Sequence, residues 1–112
     1  MELKSLDQLG RVEREIELED HKFQVHTLSV IEQQRAIKGI PDDIDDDTEK
    51  FSYLMVSVLA QATAKIDEES VSIDKLKHIY NNMQYNMLSR LFAKYLELST
   101  DQTKIVDELK KN

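Results

Sequence analysis

VEREIELEDHKFQVHTLSVIE, residues 12–32, is the stretch that decides the fold. Val12, Arg14, Ile16 and Leu18 alternate with Glu13, Glu15, Glu17 and Glu19. Period two over eight residues is the pattern of a half-buried strand. Residues 19–22, Glu-Asp-His-Lys, are polar and turn-like, and Phe23, Val25 and Thr27 then alternate with Gln24 and His26 as a second strand. A four-residue turn over 19–22 sets Leu18 against Phe23 and Ile16 against Val25 on one apolar face, with Glu15 against His26 on the other. A one-residue slip would split the apolar pairs between the two faces. A lone hairpin is marginal in water, so its apolar face needs helices or another chain to cover it.

The last four residues of the stretch, Ser29 to Glu32, form a capping box. The Ser29 hydroxyl can accept from the Glu32 amide while the Glu32 carboxylate reaches back to the Ser29 amide. A helix over 30–38 follows, with Ile31 and Ile37 as its expected buried residues, and Gly39 and Pro41 stop it. Residues 41–47, with five aspartates and a proline, read as a loop, and Asp47 or Thr48 is the expected cap of the next helix. From Phe51 to Ala64 there is no charged residue. Phe51, Leu54, Met55, Val58, Leu59 and Ala62 make one helical stripe, and Ser57, Ala60 and Ala64 a second face of small residues. A helix apolar or small nearly all round is buried on most sides, by its own chain or by a partner.

Ser72 is the expected cap of a further run in which Ile73, Leu76, Tyr80, Met83 and Met87 step by three and four, a heptad-like seam. Leu88, Leu91, Phe92, Tyr95 and Leu96 widen it. The pair Asn81 and Asn82 is an expected break, because asparagine is a weak helix former. Ser99, Thr100 and Asp101 are expected to end the run and cap a last helix carrying Ile105, Val106 and Leu109, with Lys110 and Lys111 at its negative end. Leu3, Leu6 and Leu9 suit a short N-terminal arm closed by Gly10. The expected fold is mainly α (α+β): one domain over 1–112, with an arm at 1–10, a β-hairpin at 11–28, and a helical remainder at 29–112 made of four to five helices.

Composition narrows the function. The 112 residues hold no cysteine, which removes disulfides, thiolate metal sites and cysteine nucleophiles. The formal charge of −7 lies in residues 1–50, with 14 acids against 7 bases, while residues 51–112 carry 8 of each. That balance argues against a general binder of nucleic-acid backbones or anionic membranes. No segment approaches the ~20 apolar residues that span a bilayer, and the start of the chain lacks a signal-peptide pattern, so a cytoplasmic protein is expected.

Asp43, Asp45 and Asp47 resemble the start of a calcium loop, but Thr48 and Leu54 stand where glycine and glutamate are required, so no metal is expected. His21, His26 and His78 fall in a turn, on the acidic hairpin face and on a polar helix face, without the spacing of a zinc site. No nucleophile elbow accompanies them. The tyrosines, with Arg90 and Lys94, make only a weak case for base stacking in so acidic a chain. No catalytic residue and no cofactor are expected.

The run Phe23-Gln-Val-His-Thr-Leu28-Ser29-Val-Ile-Glu32, with the helical remainder behind it, resembles the small tail assembly chaperones of tailed bacteriophages and the related baseplate hub assembly proteins. The resemblance implies a non-enzymatic protein that holds an aggregation-prone partner in the host cytoplasm during tail assembly. The implied partners are the tape measure protein, tail tube subunits or a hub component, with no nucleic acid and no membrane. An extended frameshifted form is common in that family. A protein of this kind would present Phe51, Leu54, Met55, Val58, Met83 and Met87 to its client, methionine being adaptable in shape. The competing expectation is an acidic decoy that blocks a basic partner, using Glu13, Glu15 and Glu17. A homo-oligomeric scaffold is a third.

Overall fold

The computed structural model describes the backbone of residues 9–111 and the side chains of residues 9–98. The expected arm at 1–8 and the side chains of Ile105, Val106, Leu109, Lys110 and Lys111 lie outside the described residues. The chain forms β1 (Glu13–Leu18), β2 (His21–His26), α1 (Val30–Lys38), α2 (Asp47–Ala62), β3 (Thr63–Ile66), β4 (Glu69–Ser70), α3 (Ile73–Asn82) and α4 (Tyr85–Lys111). This is an α+β fold, with a four-stranded antiparallel sheet in the order β1-β2-β3-β4.

The hairpin closes more tightly than the expected four-residue turn. Glu19 and Asp20, at φ 49° and 65°, form a two-residue turn, and Leu18 pairs with His21, Ile16 with Phe23, and Arg14 with Val25. Two consecutive positive φ values match the right-handed twist of the flanking strands. The register therefore differs from the expected one by two residues. A shift of two preserves every face, so Ile16, Leu18, Phe23 and Val25 still point together into the core. His26 now lies opposite Glu13 rather than Glu15, and its ring is buried.

The helical reading of 29–112 missed the second hairpin. α2 passes directly into β3 at Thr63, whose N–H still donates to Leu59 O. Asp67 and Glu68 repeat the two-residue left-handed turn, at φ 51° and 71°. β3 joins β2 through a bulge: Gln24 pairs with Lys65 but Val25 with Thr63, leaving Ala64 over. The bulge turns the Thr63 hydroxyl inward, where it donates to Leu59 O (2.7 Å) and meets Tyr80 Oη (2.7 Å). The two turns are tied together, because Asp67 accepts from the Lys22 amide (2.8 Å) and bonds His21 Nδ1 (2.6 Å), and its own amide donates to Lys22 O.

Helices α2, α3 and α4 close the core against one face of the sheet. Met55 and Leu59 of α2, Leu76 and Tyr80 of α3, and Leu88, Leu91, Phe92, Tyr95 and Leu98 of α4 surround the four inward sheet residues. Phe23 stacks on Tyr80 at 6.5 Å. The capping box forms as expected. Ile31 and Ile37, however, are 55% and 59% exposed, and Ala36 is the buried residue of α1. Positions six apart diverge by about 120° around a helix, so the two isoleucines cannot share a contact face. α1 docks instead through its last turn, where Ser57 Oγ donates to Ala36 O (2.5 Å), and the small residues of α2 accept this close approach. Asp46, one residue before the expected cap, receives the Thr48 amide (2.9 Å), while Ile44 buries its side chain and anchors the acidic loop.

α3 is capped by Ser72 and ends at Asn82, as the asparagine pair implies. α4 then runs unbroken for 27 residues, without the expected stop at Ser99 to Asp101. No glycine or proline falls within it, and Ser, Thr and Asp inside a helix each cost only about 0.5 kcal/mol. No helix among the described residues is long and apolar enough to cross a membrane.

Candidate partner-binding surfaces

Leu54 and Val58, one turn apart on α2, line a groove with Phe92, Tyr95 and Leu96 of α4 and with Thr27, Leu28 and Gln33. Phe51 flanks it, its ring edge-on to Phe92 at 5.8 Å. The rims stay in solvent, with Phe51 42% and Leu96 44% exposed. Leu54 and Val58 are half-buried.

The 26–32 segment beside the groove is held by polar bonds. Tyr95 Oη donates to His26 O (3.1 Å). Burial, with the Glu32 carboxylate nearby, pushes the Tyr95 phenol up to about 12. His26 Nδ1 donates to Thr27 O (2.9 Å), and its Nε2 lies 4.0 Å from Glu32 Oε2. The other oxygen of Glu32 accepts from the Ser29 amide (2.9 Å). One carboxylate thus caps α1 and faces the histidine that ends β2, fixing Leu28 between them.

The six residues expected to grip a client do not come together. Leu54 and Val58 share the groove, and Phe51 flanks it through Phe92. Met55 is 0% exposed and belongs to the core, touched by the Ser89 hydroxyl at its sulfur (3.9 Å). Met83 borders a separate depression with Tyr53 and Tyr85 where α3 turns into α4. Met87 is half-buried beside Arg90, whose guanidinium reaches both its sulfur (3.7 Å) and Glu19 (3.5 Å). The expected seam fails at Met83, which caps α3 in extended backbone and lies outside the helix, while Met87 lies on α4. Leu28 and Leu96 were absent from the expected grip. The signal for Leu96 was present in the widening of the α4 stripe beyond what one core face can bury.

Glu13, Glu15 and Glu17 are exposed on the sheet face turned away from the core. Lys22 stands opposite Glu17, and Gln24 separates Glu15 from Lys65. The acidic row is therefore one strand wide, with bases on the strands beside it. Arg11 already meets Glu13 (2.9 Å).

Among the described residues no three His, Asp or Glu side chains converge on a point that could hold a metal, and no serine hydroxyl is hydrogen-bonded to a histidine. No protein-family model, curated protein or solved structure matches the chain.

Proposed function

We propose that the chain is a non-enzymatic assembly chaperone that shields an apolar helix of a structural partner. On the resemblance of residues 23–32, that partner is a component of a phage tail (tape measure, tail tube or baseplate hub protein) met in the host cytoplasm. The groove of Leu54, Val58, Phe92 and Leu96, flanked by Phe51, carries the reading. Its walls are two helices, and its rims leave aliphatic and aromatic surface in water. An amphipathic helix laid in such a groove buries residues spaced by three and four. The charge of −7, concentrated away from the groove on β1 and the acidic loop, favours keeping a complex in solution.

Co-expression with a candidate tape measure protein tests the proposal. The client is expected to remain in the supernatant with the native chain and to precipitate with the Leu96→Glu variant. A client whose solubility ignores the chain refutes it.

A second reading, the acidic decoy, draws on the exposed row of Glu13, Glu15 and Glu17. Alternate residues of a strand stand about 6.6 Å apart, close to phosphate spacing along one nucleic-acid strand. Lys22 and Lys65 beside the row weaken that likeness. Reversing Glu13 and Glu17 to lysine separates the two: a decoy loses its partner, and a groove-binding chaperone keeps its client.

A further inference from the structure

β1 is an outer strand of the sheet, and among the described residues no strand pairs with its far side. Which backbone groups face that side follows from the turn. Leu18 and His21 flank a two-residue turn and form a hydrogen-bonded pair, after which bonded and non-bonded pairs alternate. Leu18, Ile16, Arg14 and Val12 therefore spend their backbone bonds on β2. The Val12–Thr27 end confirms the parity, with Thr27 N–H donating to Val12 O (2.9 Å). The N–H and C=O groups of Glu13, Glu15 and Glu17 point outward, away from the sheet.

The same three residues carry the exposed carboxylates. The edge thus offers three backbone donors, three backbone acceptors and three negative charges in one register. A copy of this chain is a poor occupant. Antiparallel pairing of two β1 strands about Glu15 sets Glu15 against Glu15 and Glu13 against Glu17, and like charges directly opposite are destabilising. Beneath the edge, on the core side, a depression is lined by Arg14, Ile16, Lys94, Glu97 and Leu98, of which Ile16 and Leu98 are only 7% and 6% exposed.

We propose that the outer edge of β1 accepts an extended segment of another protein as a fifth strand, one with Lys or Arg at every second position and aliphatic residues between. Its bases lie against Glu15 and Glu17, and against Glu13 in competition with Arg11. Its aliphatic side chains cover the stems of Arg14 and Lys94 and the little of Ile16 and Leu98 that stays exposed. Strand addition of this kind draws affinity from main-chain bonds and specificity from alternate side chains. This edge is separate from the groove between α2 and α4, so either surface can fail without the other.

The test is a titration of the full chain with a blocked nine-residue peptide alternating Lys and Val, and with its Glu-for-Lys counterpart, followed by amide exchange. The basic peptide is expected to bind at least tenfold tighter than the acidic one. It should slow exchange at the Glu13, Glu15 and Glu17 amides at least tenfold. Glu15→Pro removes the central outward N–H without touching a β2 bond, since proline is tolerated on an outer edge, and should abolish binding while two carboxylates remain. The E13K/E15K/E17K variant should reverse the preference. Equal binding of the basic peptide to Glu15→Pro would mean that charge alone attracts it, which overturns strand addition. So would amides at 13, 15 and 17 that are already protected in the free protein, because the edge would then be covered by the chain itself. If Glu15→Pro fails to fold, the exchange pattern of the native chain still decides.

Discussion

Replacing Gly39 with alanine probes how α1 is held against α2. At φ −75° the backbone of Gly39 is ordinary, and alanine there should by itself stabilise the protein by about 0.4–1 kcal/mol through the unfolded chain. The neighbours reverse the sign. A Cβ on residue 39 would lie 2.6 Å from Ser57 Oγ and 3.3 Å from Ala36 O. Either Ser57 turns away from Ala36 O, losing a hydrogen bond worth about 1 kcal/mol, or α1 lifts off α2 at an overpacking cost of about 1–3 kcal/mol. Set against the gain of about 0.4–1 kcal/mol, this leaves a net destabilisation of up to about 2.5 kcal/mol. In the Ser57→Ala background the obstructing oxygen is gone, and G39A should become neutral or stabilising by about 0.5 kcal/mol. Urea unfolding of the native chain, both single variants and the double variant measures the coupling. At a slope of about 2 kcal/mol per molar, each kcal/mol moves the midpoint by roughly 0.5 M. If G39A stabilises the native chain, or costs the same in the Ser57→Ala background as in the native one, the contact between the last turn of α1 and α2 is not the one described.

The remaining expectations concern the core and the titrating groups. Met55→Ala should cost about 2–5 kcal/mol in the same unfolding assay, and Met83→Ala and Met87→Ala under about 1 kcal/mol each, because only Met55 is fully enclosed. Thr63→Val leaves the buried Tyr80 hydroxyl without its partner and should cost about 1–3 kcal/mol. Burial raises Tyr80 and Tyr95 from 10.0 to about 12. The folded chain thus keeps protons that unfolded tyrosines release, and stability should fall as pH climbs from the unfolded value through the folded one. Tyrosinate absorbance compared before and after unfolding reads this directly. The hydrogen bond and charge of Asp67 raise His21 above 6.5, and the same bond lowers Asp67 below 3.8. The histidine's contribution is complete below 6.5 and lost as pH rises through its raised value. The aspartate's is complete above 3.8 and lost as pH falls through its lowered value. The turn-to-turn tie is therefore strongest between those two ordinary values. NMR titration of His21 should show its midpoint fall toward 6.5 in Asp67→Asn, and an unchanged midpoint would refute the pairing.

Hydrophobic alternation made the first hairpin legible because period two carries its own check. An error of two residues in the turn leaves every side chain on its correct face, so the core reading of Ile16, Leu18, Phe23 and Val25 survived a mistaken register. The second hairpin had no such protection. β3 has four residues and β4 two, too few for a period to register. Neither turn contains the glycine or asparagine that normally marks left-handed backbone; both use acids, and the second recruits Lys22 and His21 to hold Asp67 in place. That support is a contact across more than 40 residues, which local pattern does not carry.

The groove was half legible for a related reason. Periodicity identifies which residues of α2 are apolar, not which element covers them. α1 spans nine residues, about 14 Å, against about 24 Å for the sixteen of α2. It meets α2 at Ser57, where small residues permit contact, and Leu54 and Val58 lie on a neighbouring face. Val58 is rotated about 100° from Ser57, and α1 borders that face with Gln33 alone among its residues. α4 approaches that face with Phe92 and Tyr95 but leaves Leu96 at the rim. A face that a short helix only borders and a long helix only half covers has room for a third helix. Whether that helix comes from a client is what the Leu96→Glu co-expression experiment decides, since Leu96 is 44% exposed and lies outside the buried core.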